Sequence, residues 1–314
     1  MIILKQMTVL FIIMIAGYLC RRKGILNDVS TKAISVIVVN IANPMLIINS
    51  AINADKSLSG RDLLMTAGIS IAMYAVLLAV SYAVPKLLRS KPEDVGMWRV
   101  ITVFSNVGFM GFPLISAVYG EEAMLYTAVF QIPFSILIYT WGISQIRGKA
   151  GSEGESMRSS GGLKATLSKV INIGIIAALT AVVIYLCDIK VPSILCDTIG
   201  YLADLTVPLS MLVIGDSFAR VDIKGLFTNR KLLLFSLIKL IIIPVIWTFM
   251  IKALHLDPML TGVCMVMIST PVASMPVMLA QQYDGNVELS SRGVVLTTLL
   301  SVLTMPLISM ITGV

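Results

Sequence analysis

Apolar runs of about 20 residues follow one another along this 314-residue chain, at roughly 2 to 20, 31 to 51, 63 to 85, 97 to 118, 123 to 145, 170 to 187, 198 to 219, 231 to 253, 259 to 281 and 293 to 312. A helix of about 20 residues crosses the roughly 30 Å hydrocarbon core of a bilayer. Within that core every backbone N–H and C=O must be bonded inside the protein, so such runs fold as transmembrane helices. With 57% hydrophobic and 13% charged residues, the chain lies far from the roughly 25% charged content of soluble domains. Ten helices leave no room for a soluble domain. The expected fold class is an all-α integral membrane protein of ten transmembrane helices.

The first run is read as a retained helix, because its charges (Arg21, Arg22, Lys23) follow the apolar stretch instead of preceding it. Lysine and arginine then set the orientation, since cytoplasmic loops carry the excess. Alternate connections hold Arg21, Arg22, Lys23 and Lys32, then Lys86, Arg89, Lys91 and Arg99, then Arg147 to Lys169, then Arg220 to Lys231, then Arg292. The opposite side holds Lys5, Lys56, Arg61, Lys190 and Lys252. Both termini are expected outside a bacterial inner membrane. The net charge of +7 is a topology signal and calls for no nucleic-acid partner.

Residues 146 to 169 form the one long polar stretch, rich in Gly, Ser and charge, and read as a cytoplasmic flexible linker. It divides the chain into a five-helix repeat at 1–145 and another at 170–314. An odd number of helices per half puts the halves in opposite orientations, an inverted repeat. The strongest internal match is a pair of interrupted runs, Ser105-Asn106-Val107-Gly108-Phe109-Met110-Gly111-Phe112-Pro113 and Ile268-Ser269-Thr270-Pro271-Val272-Ala273-Ser274-Met275-Pro276. Laying Pro113 on Pro276 puts Asn106 on Ser269. Asn43-Pro44 and Val207-Pro208 form a second matching pair. Backbone freed at bilayer depth survives only where it is buried in protein or lines a cavity. Paired breaks of this kind point to the substrate site of a secondary transporter.

Several stretches carry a resemblance: SNVGFMGFPLISAVYG (105 to 120), VPLSMLVIGDSFA (207 to 219), KLIIIPVI (239 to 246) and STPVASMPVMLAQQY (269 to 283). On these the chain resembles the auxin efflux carrier family, which includes bacterial permeases and the plant PIN-formed carriers. The resemblance implies an inverted repeat whose broken helices four and nine cross near mid-membrane. It also implies a scaffold of helices 1, 2, 6 and 7, a mobile bundle of helices 3–5 and 8–10 moving by an elevator mechanism, and a homodimer. The implied substrates are small organic anions such as malate, malonate or an auxin-like acid, with a proton or sodium ion as possible co-transported species and membrane lipid as surroundings. Asn106 matches the asparagine before the break in helix four of the plant carriers, whereas Val272 and Ala273 depart from their more polar pattern.

The candidate substrate site is therefore Asn106, Gly108, Phe109 and Pro113 from the first break, Ser269, Thr270, Pro271, Ser274 and Pro276 from the second, and Asn43. Half-helix N-termini offer free N–H groups and positive partial charge to a carboxylate. Asn106 can equally serve as a helix cap, and so can the hydroxyls of Ser269, Thr270 and Ser274. Lys239 lies about 12 Å into its helix at 1.5 Å per residue, near mid-bilayer, where a lysine costs at least about 2.5–3.5 kcal/mol. It either offsets a substrate's charge or binds carbonyls released by a broken helix. Asp216 has Arg220 at i+4 on one helix face, which suggests a salt bridge, with ion coupling as the other reading.

The spacing of Asp204 and Asp216, about 18 Å along one helix, excludes the contact needed by an aspartyl dyad. There is no HExxH zinc motif, and Cys20, Cys187, Cys196 and Cys264 have no metal or redox spacing. No enzyme, cofactor or metal is expected. A channel or a ligand sensor on the same fold is the alternative to a carrier, although nothing resembles a selectivity filter.

Overall fold

The computed structural model describes residues 2–53, 60–147 and 173–313. Residues 148–169 of the expected linker lie outside the described residues. In chain order the main helices are α1 (Ile2–Arg22), α2 (Asp28–Asn53), α3 (Gly60–Leu87), α4 (Val95–Val103), α5 (Val107–Tyr119), α6 (Met124–Arg147), α7 (Ile173–Leu186), α8 (Ser193–Ala219), α9 (Arg230–Lys252), α10 (Pro258–Ser269), α11 (Met275–Gln282) and α12 (Val287–Thr312). Among the described residues, α1, α2, α3, α6, α8, α9 and α12 are long and apolar enough to cross a membrane. The apolar runs at 97 to 118 and 259 to 281 are each divided, into α4 with α5 and α10 with α11. Among the described residues the remaining non-helical pairing is one isolated antiparallel bridge between Ser105 and Val272.

Prolines shape the helices locally. A helical proline lacks the N–H for its i−4 carbonyl and crowds that carbonyl. Wide π-type turns at Val38–Ala42, Val107–Gly111 and Ile238–Ile242 directly precede Asn43-Pro44, Phe112-Pro113 and Ile243-Pro244. Each wide turn redirects the hydrogen bonding just ahead of its proline, so the helix continues beyond it instead of ending.

Helices α1 and α8 pack backbone to backbone. A Cβ on Gly17 would overlap the Leu212 backbone, and one on Gly215 the Met14 backbone, the small-residue contact by which membrane helices approach closely. At the end carrying Arg21 and Arg220, Asn286 donates to Asp94 at 2.7 Å and Arg147 lies 4.6 Å above the Tyr283 ring. These contacts bring together the starts of α4 and α12 and the ends of α6 and α11.

Candidate functional site

Helix α4 stops at Val103, Phe104 turns extended, and Asn106 caps α5 by accepting from the Phe109 N–H at 3.2 Å. Asparagine is a favoured cap because its oxygen replaces a missing carbonyl. Helix α10 ends at Ser269, and Thr270 is extended. Pro271 brings no N–H, and α11 opens after Ser274 with Pro276 in its first turn.

The two breaks cross and satisfy each other. The Asn106 N–H donates to the Pro271 carbonyl at 2.7 Å, and the Ala273 N–H donates to the Phe104 carbonyl at 3.0 Å. The Val272 N–H is received by the Thr297 hydroxyl of α12 at 3.0 Å. Because the Asn106 N–H has turned to Pro271, the Thr102 carbonyl loses its helical donor. Lys239 of α9 supplies one, donating to the Thr102 carbonyl at 2.8 Å and to the Ser105 hydroxyl at 2.6 Å. Lys239 is fully buried, and among the described residues no carboxylate pairs with it.

Beside the crossing lies a small open cleft, lined by Val39 and Asn43 of α2, Ser105, Asn106, Gly108 and Phe109, Gln131 and Phe134 of α6, and Ala273, Ser274, Met275 and Met278. An adjoining small lobe shares Val39, Asn43, Gln131, Phe134 and Met275 and adds Ser135 and Tyr139. It thus advances along α6 toward the end that carries Arg147. Three carboxamides on these walls keep a buried polar atom without a partner: Asn43 Oδ1, Asn106 Nδ2 and Gln131 Oε1. An unsatisfied buried polar atom costs about 1–3 kcal/mol, and these three belong to residues around one cleft. The first turns of α5 and α11 both line it, and no charged side chain does.

The structure brings Asn43, Asn106, Gly108, Phe109 and Ser274 together on the cleft wall. Pro271 contributes its carbonyl to the crossing, while Pro113 and Pro276 sit in the half-helices behind it. Ser269 and Thr270 are buried off the cleft, where the Thr270 hydroxyl donates to the Met267 carbonyl at 2.9 Å and Ser269 Oγ is unpartnered. The cap that corresponds in position to Asn106 is Ser274, five residues beyond Ser269, because α10 runs three residues past the aligned end of α4 and the second break is two residues longer than the first. Ser105 and Gln131 join the wall without having been singled out in the sequence. For Gln131 the signal is present, a carboxamide in the middle of an apolar run.

Asp216 stands apart from the cleft. Its carboxylate meets Arg220 at 2.6 Å and Arg21 at 3.6 Å, and both arginines also meet Asp28, at 2.6 and 3.0 Å. Two arginines and two aspartates thus join α1, α2 and α8, so the i+4 salt bridge expected with Arg220 is present as part of a larger network.

Comparison with known proteins agrees over nearly the whole length. The model of a family described as membrane transport protein matches residues 2–309. An uncharacterized transporter of Methanocaldococcus jannaschii is 23% identical, over 98% of this chain and 98% of its own length. Another, from Methanothermobacter thermautotrophicus, is 25% identical over 96% and 95%. An uncharacterized transporter of Escherichia coli is 18% identical over 95% and 94%.

Proposed function

The chain belongs to the membrane transport protein family, that of the auxin efflux carriers, and from that premise we propose that it is a secondary transporter of a small organic anion working by elevator-type alternating access. In this reading the ten helices form an inverted repeat of five and five. The pair α4–α5 is the fourth helix and α10–α11 the ninth. The scaffold is α1, α2, α7 and α8, joined as a homodimer, and α3–α6 with α9–α12 form the moving bundle. Both termini face outward from the bacterial inner membrane.

One observation carries the proposal: unpartnered carboxamides from α2, α5 and α6 converge on a cleft at the crossing of two broken helices. The cleft lies between the proposed scaffold, through Asn43, and the proposed bundle, through Asn106 and Gln131. Two half-helix N-termini line it, which favours a carboxylate, and the Lys239 ammonium stands one hydroxyl behind the wall. The Asp216 network lies wholly within the proposed scaffold, a position suited to holding those helices as one body.

The test is uptake into proteoliposomes of acetate, malonate, malate, benzoate and indole-3-acetate, with proton and sodium gradients imposed separately. Saturable uptake of at least one of these anions is expected. Flux that rises linearly with concentration would indicate a channel, and binding without flux a sensor. Cysteine labelling in whole cells tests the topology: the linker should be inaccessible and both termini labelled.

A further inference from the structure

On the anion-transport reading, we infer that Lys239 and Ser105 form a donor relay: the ammonium occupies the Ser105 oxygen so that the hydroxyl proton is offered to the cleft, where with the Asn106 amide it receives one anionic group.

A serine hydroxyl has one proton and two lone pairs, and an ammonium only donates. The 2.6 Å contact from Lys239 Nζ therefore uses a lone pair of Ser105 Oγ and leaves its proton to be placed elsewhere. Among the described residues no acceptor receives that proton. Ser70, Thr248, Ser269 and Thr298 keep buried hydroxyls with no partner at all among the described residues, and other buried hydroxyls of the bundle bond their own helix. Thr102, Thr127 and Ser236 donate to carbonyls one turn earlier, at 2.7, 2.9 and 2.8 Å. Ser105 lies beyond the last turn of α4 and on the wall of the cleft. Next to it Asn106 spends its oxygen on the Phe109 N–H, and its Nδ2 is buried without a partner. Two adjacent residues thus hold two unspent donors at one wall.

The ammonium makes the first of these donors selective. Charge-assisted bonds are about twice as strong as neutral ones, and a hydrogen bond polarises the next in its chain. Lys239 itself does not line the cleft, so its charge reaches a ligand through Ser105. A buried cation without a counter-ion is costly in a membrane protein, and an anion at the hydroxyl offsets that cost. A neutral group of the same shape does not. Every other polar group on the wall is uncharged, so one anionic group is matched and a second in the same ligand is not.

Binding of the same five carboxylates and their amides to the purified full chain tests this, read by thermal shift and calorimetry. Wild type should bind at least one carboxylate tenfold or more tightly than its amide. Ser105→Ala should reduce that preference below about threefold with amide affinity unchanged. Ser105→Ala combined with Lys239→Gln should bind no more weakly than Lys239→Gln alone, the non-additivity of residues acting in series. If Ser105→Ala does not fold, Ser105→Cys takes its place, with an intermediate preference expected. Retention of the full preference in the serine variant, or an equal loss for carboxylate and amide, overturns the relay and leaves the transport reading standing. Equal wild-type affinity for a carboxylate and its amide also overturns it. Failure of every carboxylate to bind overturns the anion reading itself.

Discussion

The two breaks face the same difficulty and meet it with different chemistry. In each, the chain leaves the helix for a few residues and orphans backbone groups where no water reaches them. At the first break the freed Thr102 carbonyl is met by an ammonium. At the second, the Val272 N–H is met by the neutral Thr297 hydroxyl, and the Thr270 hydroxyl covers the Met267 carbonyl. A hydroxyl could have served at both places. Both breaks line the cleft, the first through Ser105 and Asn106 and the second through Ala273 and Ser274, but the charged tie reaches the wall itself, through the Ser105 hydroxyl. The neutral contacts lie at Thr297 and Thr270, off that wall. The difference separates a tie that serves the backbone alone from one that also sets the potential of the cleft.

The largest expected effect comes from removing the charge. Lys239→Met should lower transport at least 100-fold, which at 1.36 kcal/mol per decade is roughly 2.7 kcal/mol. Its stability should change by no more than about 1 kcal/mol, because the loss of two charge-assisted bonds is offset by relief of a buried cation. Proteoliposome uptake alongside thermal denaturation checks both halves, and Lys239→Arg should keep more activity than Lys239→Met. Native transport in the methionine variant would make the two ties alike.

Thr297→Val should act the other way round. It keeps the side-chain shape but strands the Val272 N–H, so stability should fall by about 2 kcal/mol with the affinity for a transported anion changed less than threefold. Denaturation midpoints and binding isotherms measured on the same preparation decide this.

The smallest effect belongs to Asn106→Ala, which removes both a cap and a donor. Binding of a transported carboxylate should weaken about tenfold, or roughly 1.4 kcal/mol, and stability should fall by about 1 kcal/mol. A loss of stability with unchanged affinity would make the residue a cap only and place both breaks in the same class.

Much of this is legible in the sequence. The apolar runs mark the helices, and proline and glycine mark both interruptions, since lipid imposes a length and a hydrogen-bonding rule that sequence displays directly. The register of the second break was not legible. Matching prolines set Asn106 against Ser269, but a proline only requires that its own N–H be dispensable. It does not say how many extended residues precede the next helix, and Ser274 is the residue that takes the cap position. The depth of Lys239 could be counted, but its partners could not, because the contacts join residues 137 and 134 positions apart. Ser105 was hidden for another reason: serine in a membrane helix usually bonds its own preceding turn, and only the arrival of the ammonium changes that.

The bridge between Ser105 and Val272 also acts as a rivet. Its two bonds run in opposite directions between the crossing chains, so sliding either broken helix past the other by one residue would strip an N–H and a carbonyl from both. Neither could find water in that interior. Shear between α4–α5 and α10–α11 is therefore costly, and a displacement of the crossing carries all four half-helices together as a single plate.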